Sequence, residues 1–389
     1  MGAGIKLVHN GFRASRVLTR KLFYLQYDYF AKKEYDSIWN DIADGQRFSS
    51  EEVKRYKNRW KWSHANIIPT NLYKVCATIS GNRSADFLPD NVYNHSIEPV
   101  LNNKQVSHAY ADKALYDRLL GSHKELLPVT LLKNVNGIFY DGLGNQVADP
   151  EKQIQSFITN EEKLLVKPSI DSWGGRDVYV FYKNDGRFTL KNKDTELTLK
   201  WLLRKFEKDF VIQQVLKQHP FYRQFNESSF NTFRVFTYRS VADNKLHLLH
   251  VALRIGKPDS EVDNIKMGGT AIVVKSSGEL NDFALLKTMR KIDHVPNKPG
   301  LKLKELGKLH KIDEIKATAL ELAEYVPHSR LIGFDMSIDE DDNIRLVEIN
   351  TSNIGIGAQI MIGPFFGEFT QEVIDYCKKM KKVDILKIY

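Results

Sequence analysis

With 389 residues, 42% hydrophobic and 11% aromatic, the chain holds enough apolar mass for two or three subdomains with their own cores, which excludes a disordered polymer. Cys76 and Cys377 are its only cysteines, which excludes a disulfide framework and a zinc-spacing motif and points to a reducing, cytoplasmic setting. Net charge is +9, from 57 Lys and Arg against 48 Asp and Glu, yet neither a nucleic-acid reading motif nor an apolar run near the ~20 residues of a membrane span accompanies it.

The charge excess is uneven along the chain. The first 33 residues carry seven Lys or Arg against one acid, Asp28, interleaved with Leu18, Leu22, Phe23, Tyr24, Leu25, Tyr27, Tyr29 and Phe30. This stretch reads first as a helix packed on the protein's own core. The alternative is a helix lying on an anionic membrane, peripheral to its inner face, or against a partner. Leu72 to Ser80 is strand-like. Residues 1–105 are read as an N-terminal region, helical at its start.

Residues 106–215 form a second region. Ala111-Asp112-Lys113 begins a helical pattern that runs to Leu127. Lys163 to Pro168 is a strand that stops at proline, because Pro removes a donor and restricts the residue before it. The loop Ser169 to Arg176 follows, with Ser172, Gly174 and Gly175, and then a strand from Asp177 to Lys183. A glycine pair lets backbone amides approach a phosphate without a side-chain clash, although a bare Gly-Gly between strands is more often only a turn. Phe210 to Leu216 reads as a buried strand running into a polar segment, Lys217 to Phe225. His219, before Pro220, reads as a surface residue.

Residues 216–389 form the third region. Asn231 to Arg239 alternates in strand fashion, with Thr232, Arg234, Phe236 and Tyr238 on one side. Leu246 to Ile255 is a strand containing Arg254, and Ile265 to Thr270 leads into another. Ile312, Ile315, Ala319, Leu322, Ala323 and Val326 follow helical spacing, and Phe365 to Met380 supplies another helix. Between them Leu331 to Ile338 and Ile344 to Ile349 flank the polar turn Glu340 to Asn343, the pattern of a β-hairpin. Neighbouring strands bring Asp335 and Glu348 together. Asn350, two positions on, shares the face of Glu348. Two carboxylates and an amide oxygen suit Mg²⁺, a hard cation that keeps waters and grips phosphates.

These residues carry a resemblance. GFDMSIDEDDNIRLVEINTSN resembles the metal-binding end of ATP-grasp ligases such as D-alanine–D-alanine ligase, which implies that Asp335, Glu348 and Asn350 hold Mg²⁺ against the ATP phosphates. Lys113 and Lys167 then fall on the two phosphate-binding lysines, Ser172, Gly174 and Gly175 on the loop that closes over the phosphates, and Gln213 or Gln214 where related enzymes often place a ribose-binding glutamate. Arg234 and Arg254 are the expected catalytic cations around a transferring phosphoryl group. Upstream, Asp86 to Tyr93 and Ile97 to Asn103, leading to Asp112-Lys113, are similar to the sugar-transfer-associated ATP-grasp family, over about residues 85–375.

The resemblance implies an α/β (α+β) ATP-grasp fold in which two lobes clasp ATP, with the N-terminal region added. It implies a carboxylate–amine ligase that works through an acyl phosphate and joins an amino acid to a sugar, a uronic acid or a nucleotide sugar, in capsule or other surface-polysaccharide biosynthesis. A sugar or alcohol kinase and a non-catalytic glycosyltransferase partner, docked through residues 1–33, are the alternatives.

Overall fold

The computed structural model describes residues 2–43, 45–170, 177–258, 268–286, 288–296 and 298–380. The chain begins with a helix, Gly2–Ile42, followed by Ser50–Trp60 and Thr70–Ser80. The Ser50–Trp60 helix starts with a capping box, in which Ser49 and Glu52 each satisfy the other's backbone N–H. Leu72 to Ser80 is therefore helical and not a strand. Its apolar residues include Leu72, Val75, Cys76 and Ile79, a spacing that gives one buried helical face, and Gly81 closes it in the left-handed conformation with its N–H on Ala77 O. Cys76 and Cys377 are both free and buried.

The expected continuous helix from Ala111 to Leu127 is broken up. The helix Lys104–Ala111 ends before Asp112, whose carboxylate accepts from Ala114 N at 3.0 Å and starts a tight turn, Lys113–Leu115. An Asp offers the backbone such a non-helical alternative at little cost. Short turns Tyr116–Leu119 and Gly121–Leu126 follow, and their Tyr116 and Leu120 enter the core of the third region instead of the second.

The strands are β1 (Thr130–Val135), β2 (Ile138–Asp141), β3 (Lys163–Pro168), β4 (Tyr179–Asn184), β5 (Arg187–Leu190), β6 (Phe210–Gln214), β7 (Thr232–Arg239), β8 (Leu246–Ile255), β9 (Thr270–Val274), β10 (Ala284–Leu285), β11 (Lys291–Ile292), β12 (His294–Val295), β13 (Lys298–Lys302), β14 (Leu331–Ile338) and β15 (Ile344–Asn350). β4 starts two residues later than the pattern suggests, because Asp177 takes a positive φ of 56°. Strands β2-β1-β6-β3-β4-β5 form one antiparallel sheet and β15-β14-β7-β8-β9 a second.

Alternation along β7 separates two cores. Phe233 and Val235 pack with Ile312, Ile315, Ala319 and Leu322 of the helix Ile312–Ala323, whereas Phe236 and Tyr238 pack with the N-terminal helices through Tyr73, Tyr93 and Ile97. The second sheet is thus covered on both faces, which is why every residue of β14 is buried. A third core, with Leu164, Val166, Phe181, Leu202 and Phe210, serves the six-stranded sheet alone. Phe365 to Met380 contains a helix at Thr370–Lys379. Among the described residues no helix is long and apolar enough to cross a membrane.

Candidate active site

The hairpin β14–β15 has the register that its sequence suggests. Asp335 stands opposite Glu348 on one side and Arg234 of β7 on the other, and Gly333 stands opposite Asn350. A bulge after Asp335 shifts the register, so Met336 pairs with Leu346. Asn102 holds the start of β14: its Nδ2 donates to Leu331 O at 2.8 Å and Thr351 O at 2.7 Å, and its Oδ1 accepts from Leu331 N.

Asp335 is buried, and its carboxylate is gripped by two arginines. Arg234 donates through Nε to Oδ1 and through Nη2 to Oδ2 at 2.9 Å, a two-pronged contact, and Arg254 adds Nη1 to Oδ2 at 2.8 Å. Burial pushes the carboxyl up, but the two guanidiniums outweigh it and hold Asp335 below the usual carboxylate range. Gly333 makes room for this: a Cβ there would stand 3.1 Å from Arg234 Cδ. Arg234 and Arg254, expected to surround a phosphoryl group, therefore also neutralise a candidate metal ligand.

Lys113 reaches the same place from a distant part of the chain. Its ammonium lies 2.7 Å from Glu348 Oε1, and its backbone N–H donates to Ser169 O at 2.9 Å, directly after β3. Tyr116 completes the tie, its hydroxyl accepting from Ile349 N at 2.8 Å. Lys167, at the end of β3, is buried. Burial first, and then the charge on Lys113, lower its pKa from 10.5 to about 7, with Glu348 opposing. An anion placed beside this amine would favour its charged form.

Gln213 and Gln214, adjacent on β6, point to opposite faces of the sheet. Gln214 donates to Glu161 Oε1 at 2.7 Å. Gln213 instead lines a cleft of about 400 Å³ beside Lys113, Thr130, Lys133 and Val347. Its Nε2 donates to Thr130 Oγ1 at 3.0 Å, while its Oε1 is buried with no partner. A buried acceptor costs about 1–3 kcal/mol when unsatisfied, so a donor placed in the cleft would be favoured at this atom. Lys133 of β1 is a further site residue, one that no sequence motif marks. It is buried, donates to Ala114 O at 2.9 Å and to Asp117 Oδ2 at 2.8 Å, and fixes the Lys113 turn to the sheet. The available signal was a lysine set in a strand among Leu131, Leu132 and Val135.

Ser172, Gly174 and Gly175 lie outside the described residues, as do Ile265 to Met267. His219 is not brought to this cluster; it sits at the hairpin's turn, stacked 4.6 Å from His310, and its Nδ1 accepts from Phe221 N.

The donor set fits magnesium. Asp335 and Glu348 supply carboxylates on paired strands, and Asn350 spends its Nδ2 on Gly333 O at 3.1 Å, which leaves an amide oxygen as its second function. A family model described as sugar-transfer-associated ATP-grasp matches residues 92–373. The chain belongs to the sugar-transfer-associated ATP-grasp family. It has the ATP-grasp fold, and the superfamily contains carboxylate–amine ligases. No curated protein matches this ATP-grasp chain.

Among solved structures, it is similar to the ATP-grasp ligase PsnB, complexed with a phosphomimetic variant of a minimal precursor, Mg and ADP. There the identity is 16%, the match covers 71% of this chain and 61% of that one, and the TM-score is 0.39. D-cycloserine synthetase DcsG gives 10% identity over 72% and 73%, with a TM-score of 0.41. The L-amino acid ligase from Bacillus licheniformis gives 13% over 69% and 48%, with a TM-score of 0.36. This ATP-grasp chain thus spans about three fifths of PsnB.

Proposed function

We propose that this protein is a cytoplasmic, ATP-dependent carboxylate–amine ligase that joins an amino acid to a sugar, such as a uronic acid or nucleotide sugar, in surface-polysaccharide or capsule biosynthesis. The observation that carries the reading is the cation–carboxylate cluster in which Lys113 meets Glu348 beside Asp335, Arg234 and Arg254. A site built to accept a polyphosphate needs cations, and one that uses metal needs carboxylates; here each set neutralises the other until ligands replace it.

Asp335, Glu348 and Asn350 would hold Mg²⁺, which when bound neutralises the phosphate oxygens and the charge that develops on them. Lys113 and Lys167 bind phosphates, with Ser172, Gly174 and Gly175, which follow Lys167 in the chain, assigned to the same task. Gln213 receives a ribose or adenine donor on its buried Oε1, and Gln214, bound to Glu161, is left out of the site. Arg234 and Arg254 steady the transferred group. The acceptor carboxylate attacks the γ-phosphorus, its P–O bond to ADP breaks, and an acyl phosphate results. The amine then attacks the acyl carbon; a C–N bond forms, the C–O bond to phosphate breaks with its electron pair on phosphate, and the amine gives up a proton.

The test is incubation with ATP, magnesium and pooled amino acids and uronic acids, followed by mass spectrometry. The expected product has the mass of an acid plus an amine less one water, formed with ADP and phosphate. ATP consumption that yields only a phosphorylated sugar would replace the ligase with a kinase.

A further inference from the structure

The helix Gly2–Ile42 serves the protein with only one of its sides. Its inner side is anchored from Tyr27 onward. Asn94 donates to the Tyr27 hydroxyl at 2.7 Å, and the Tyr35 hydroxyl donates to Asp90 Oδ2 at 2.6 Å. Asp28, fully buried, accepts from Asn66 N, Asn66 Nδ2, Ile67 N and Asn91 Nδ2. Leu18, Leu22, Leu25 and Tyr29 follow the spacing of one helical stripe on the other side, and Phe23 and Phe30 flank it. These six side chains are between 45% (Leu25) and 60% (Leu18) exposed. Single exposed apolar residues are ordinary, but a continuous stripe on one helix marks a surface that something covers.

The charge pattern selects what covers it. All seven Lys and Arg of the first 33 residues lie on this helix, and the one acid among them, Asp28, is turned inward and fully used. Lys21 and Lys33 are exposed beside the stripe. The helix's other acids, Glu34, Asp36 and Asp41, all lie C-terminal to the stripe, and Asp36 is already paired with Lys32, so a second copy laid along the stripe in parallel would set Lys21 against its own counterpart with no acid beside it, which is repulsive. Leu, Phe and Tyr among Lys and Arg suit the boundary between anionic headgroups and acyl chains, where aromatic rings settle and each cation adds attraction.

We infer that the outer face of the Gly2–Ile42 helix docks the protein on an anionic lipid bilayer, with the Leu18-Leu22-Leu25-Tyr29 stripe in the headgroup boundary. The inference stands apart from the reaction assigned to the site. It places the enzyme on a surface without changing the catalytic cluster.

The test uses the full chain in co-sedimentation with vesicles of phosphatidylcholine alone and of phosphatidylcholine mixed with phosphatidylglycerol. Binding to the mixed vesicles only, weakening with salt, is expected. Lys21→Gln with Lys33→Gln should weaken it roughly five-fold for each cation removed. Leu22→Ser with Tyr29→Ser should abolish it, and both pairs should keep wild-type helical content and ADP affinity. Absence of binding to mixed vesicles, or equal binding to both kinds, overturns the inference. So does a concentration-dependent dimer in sedimentation equilibrium that the Leu22→Ser, Tyr29→Ser pair dissolves, since a second copy would then cover the stripe.

Discussion

Lys113 and Glu348, 235 positions apart in the chain, meet at 2.7 Å. The contact joins the turn that leads toward the first sheet to the hairpin of the second, so one ion pair reports on both halves of the site. On the proposed function, nucleotide and metal would exchange this contact for their own. Lys113→Met should therefore weaken ATP binding and leave Glu348 with one cation fewer, while Glu348→Gln should leave the nucleotide's affinity in the absence of magnesium largely intact. Glu348→Gln should lower turnover on the order of 100-fold, because it removes charge from a preorganised site with little change in shape. Near-normal ATP consumption by Glu348→Gln would remove Glu348 from the metal set.

A pH dependence follows from Lys167. Its pKa of about 7 lies below the ordinary 10.5, so between these values the unfolded chain holds a proton that the folded chain lacks. Stability from this group thus rises with pH across that window, and it is the charged form, below about pH 7, that burial penalises. Phosphates favour the charged form, so ATP binding should take up a proton when the pH is above 7. Calorimetry at about pH 8 in buffers of different ionisation heat should show uptake of roughly one proton by the wild type, and less by the same margin for Lys167→Met. Identical proton uptake in both proteins would show that Lys167 does not meet the phosphates.

The two glutamines should separate cleanly. Gln213→Leu removes a buried acceptor that has no partner, and with it the Nε2 bond to Thr130 Oγ1; the two effects oppose each other at about 1 kcal/mol each, so the stability of the fold should change little. It should nonetheless cost roughly ten-fold in nucleotide affinity, the value of one hydrogen bond to the ligand. Gln214→Leu should leave nucleotide affinity unchanged while losing its bond to Glu161. Chemical denaturation and ADP titration of both variants check this, and the reverse pattern would exchange their assignments.

Asp335 and its arginines make a thermodynamic prediction. A carboxylate whose folded pKa is depressed contributes stability above its unfolded value of about 3.9, and that contribution is lost as pH falls through the folded pKa. Arg234→Ala leaves a buried charge with one partner in place of two, and should cost about 2–4 kcal/mol at neutral pH. Adding Asp335→Asn to Arg234→Ala should restore part of that loss but none of the activity. Additive losses in the double variant would mean that the two side chains are not coupled.

Much of this site was legible locally. Alternation in a strand has period two, so β7, β8 and β14 and the pairing of Asp335 with Glu348 follow from their own residues. The partners of Asp335 did not, because contacts across 101 and 81 positions depend on the strand order β15-β14-β7-β8. Leu72 to Ser80 misled because Leu, Tyr, Val and Ile are dense there, and only the full spacing and Gly81 distinguish a helix. Lys133 was hidden by its role: it supports the Lys113 turn from a neighbouring strand and carries no motif of its own. The glutamine choice depended on which face of β6 the cleft occupies, a fact of packing between two sheets.

A ligase of this kind passes the energy of ATP through an acyl phosphate, and hydroxylamine traps that species directly. Given ATP, magnesium, its carboxylate substrate and hydroxylamine in place of the amine, the protein should form a hydroxamate and release ADP and phosphate in equal amounts. Glu348→Gln should form the hydroxamate and release ADP on the order of 100-fold more slowly. Release of ADP with the phosphoryl group retained on a stable sugar phosphate, and no hydroxamate, would contradict the acyl-phosphate mechanism.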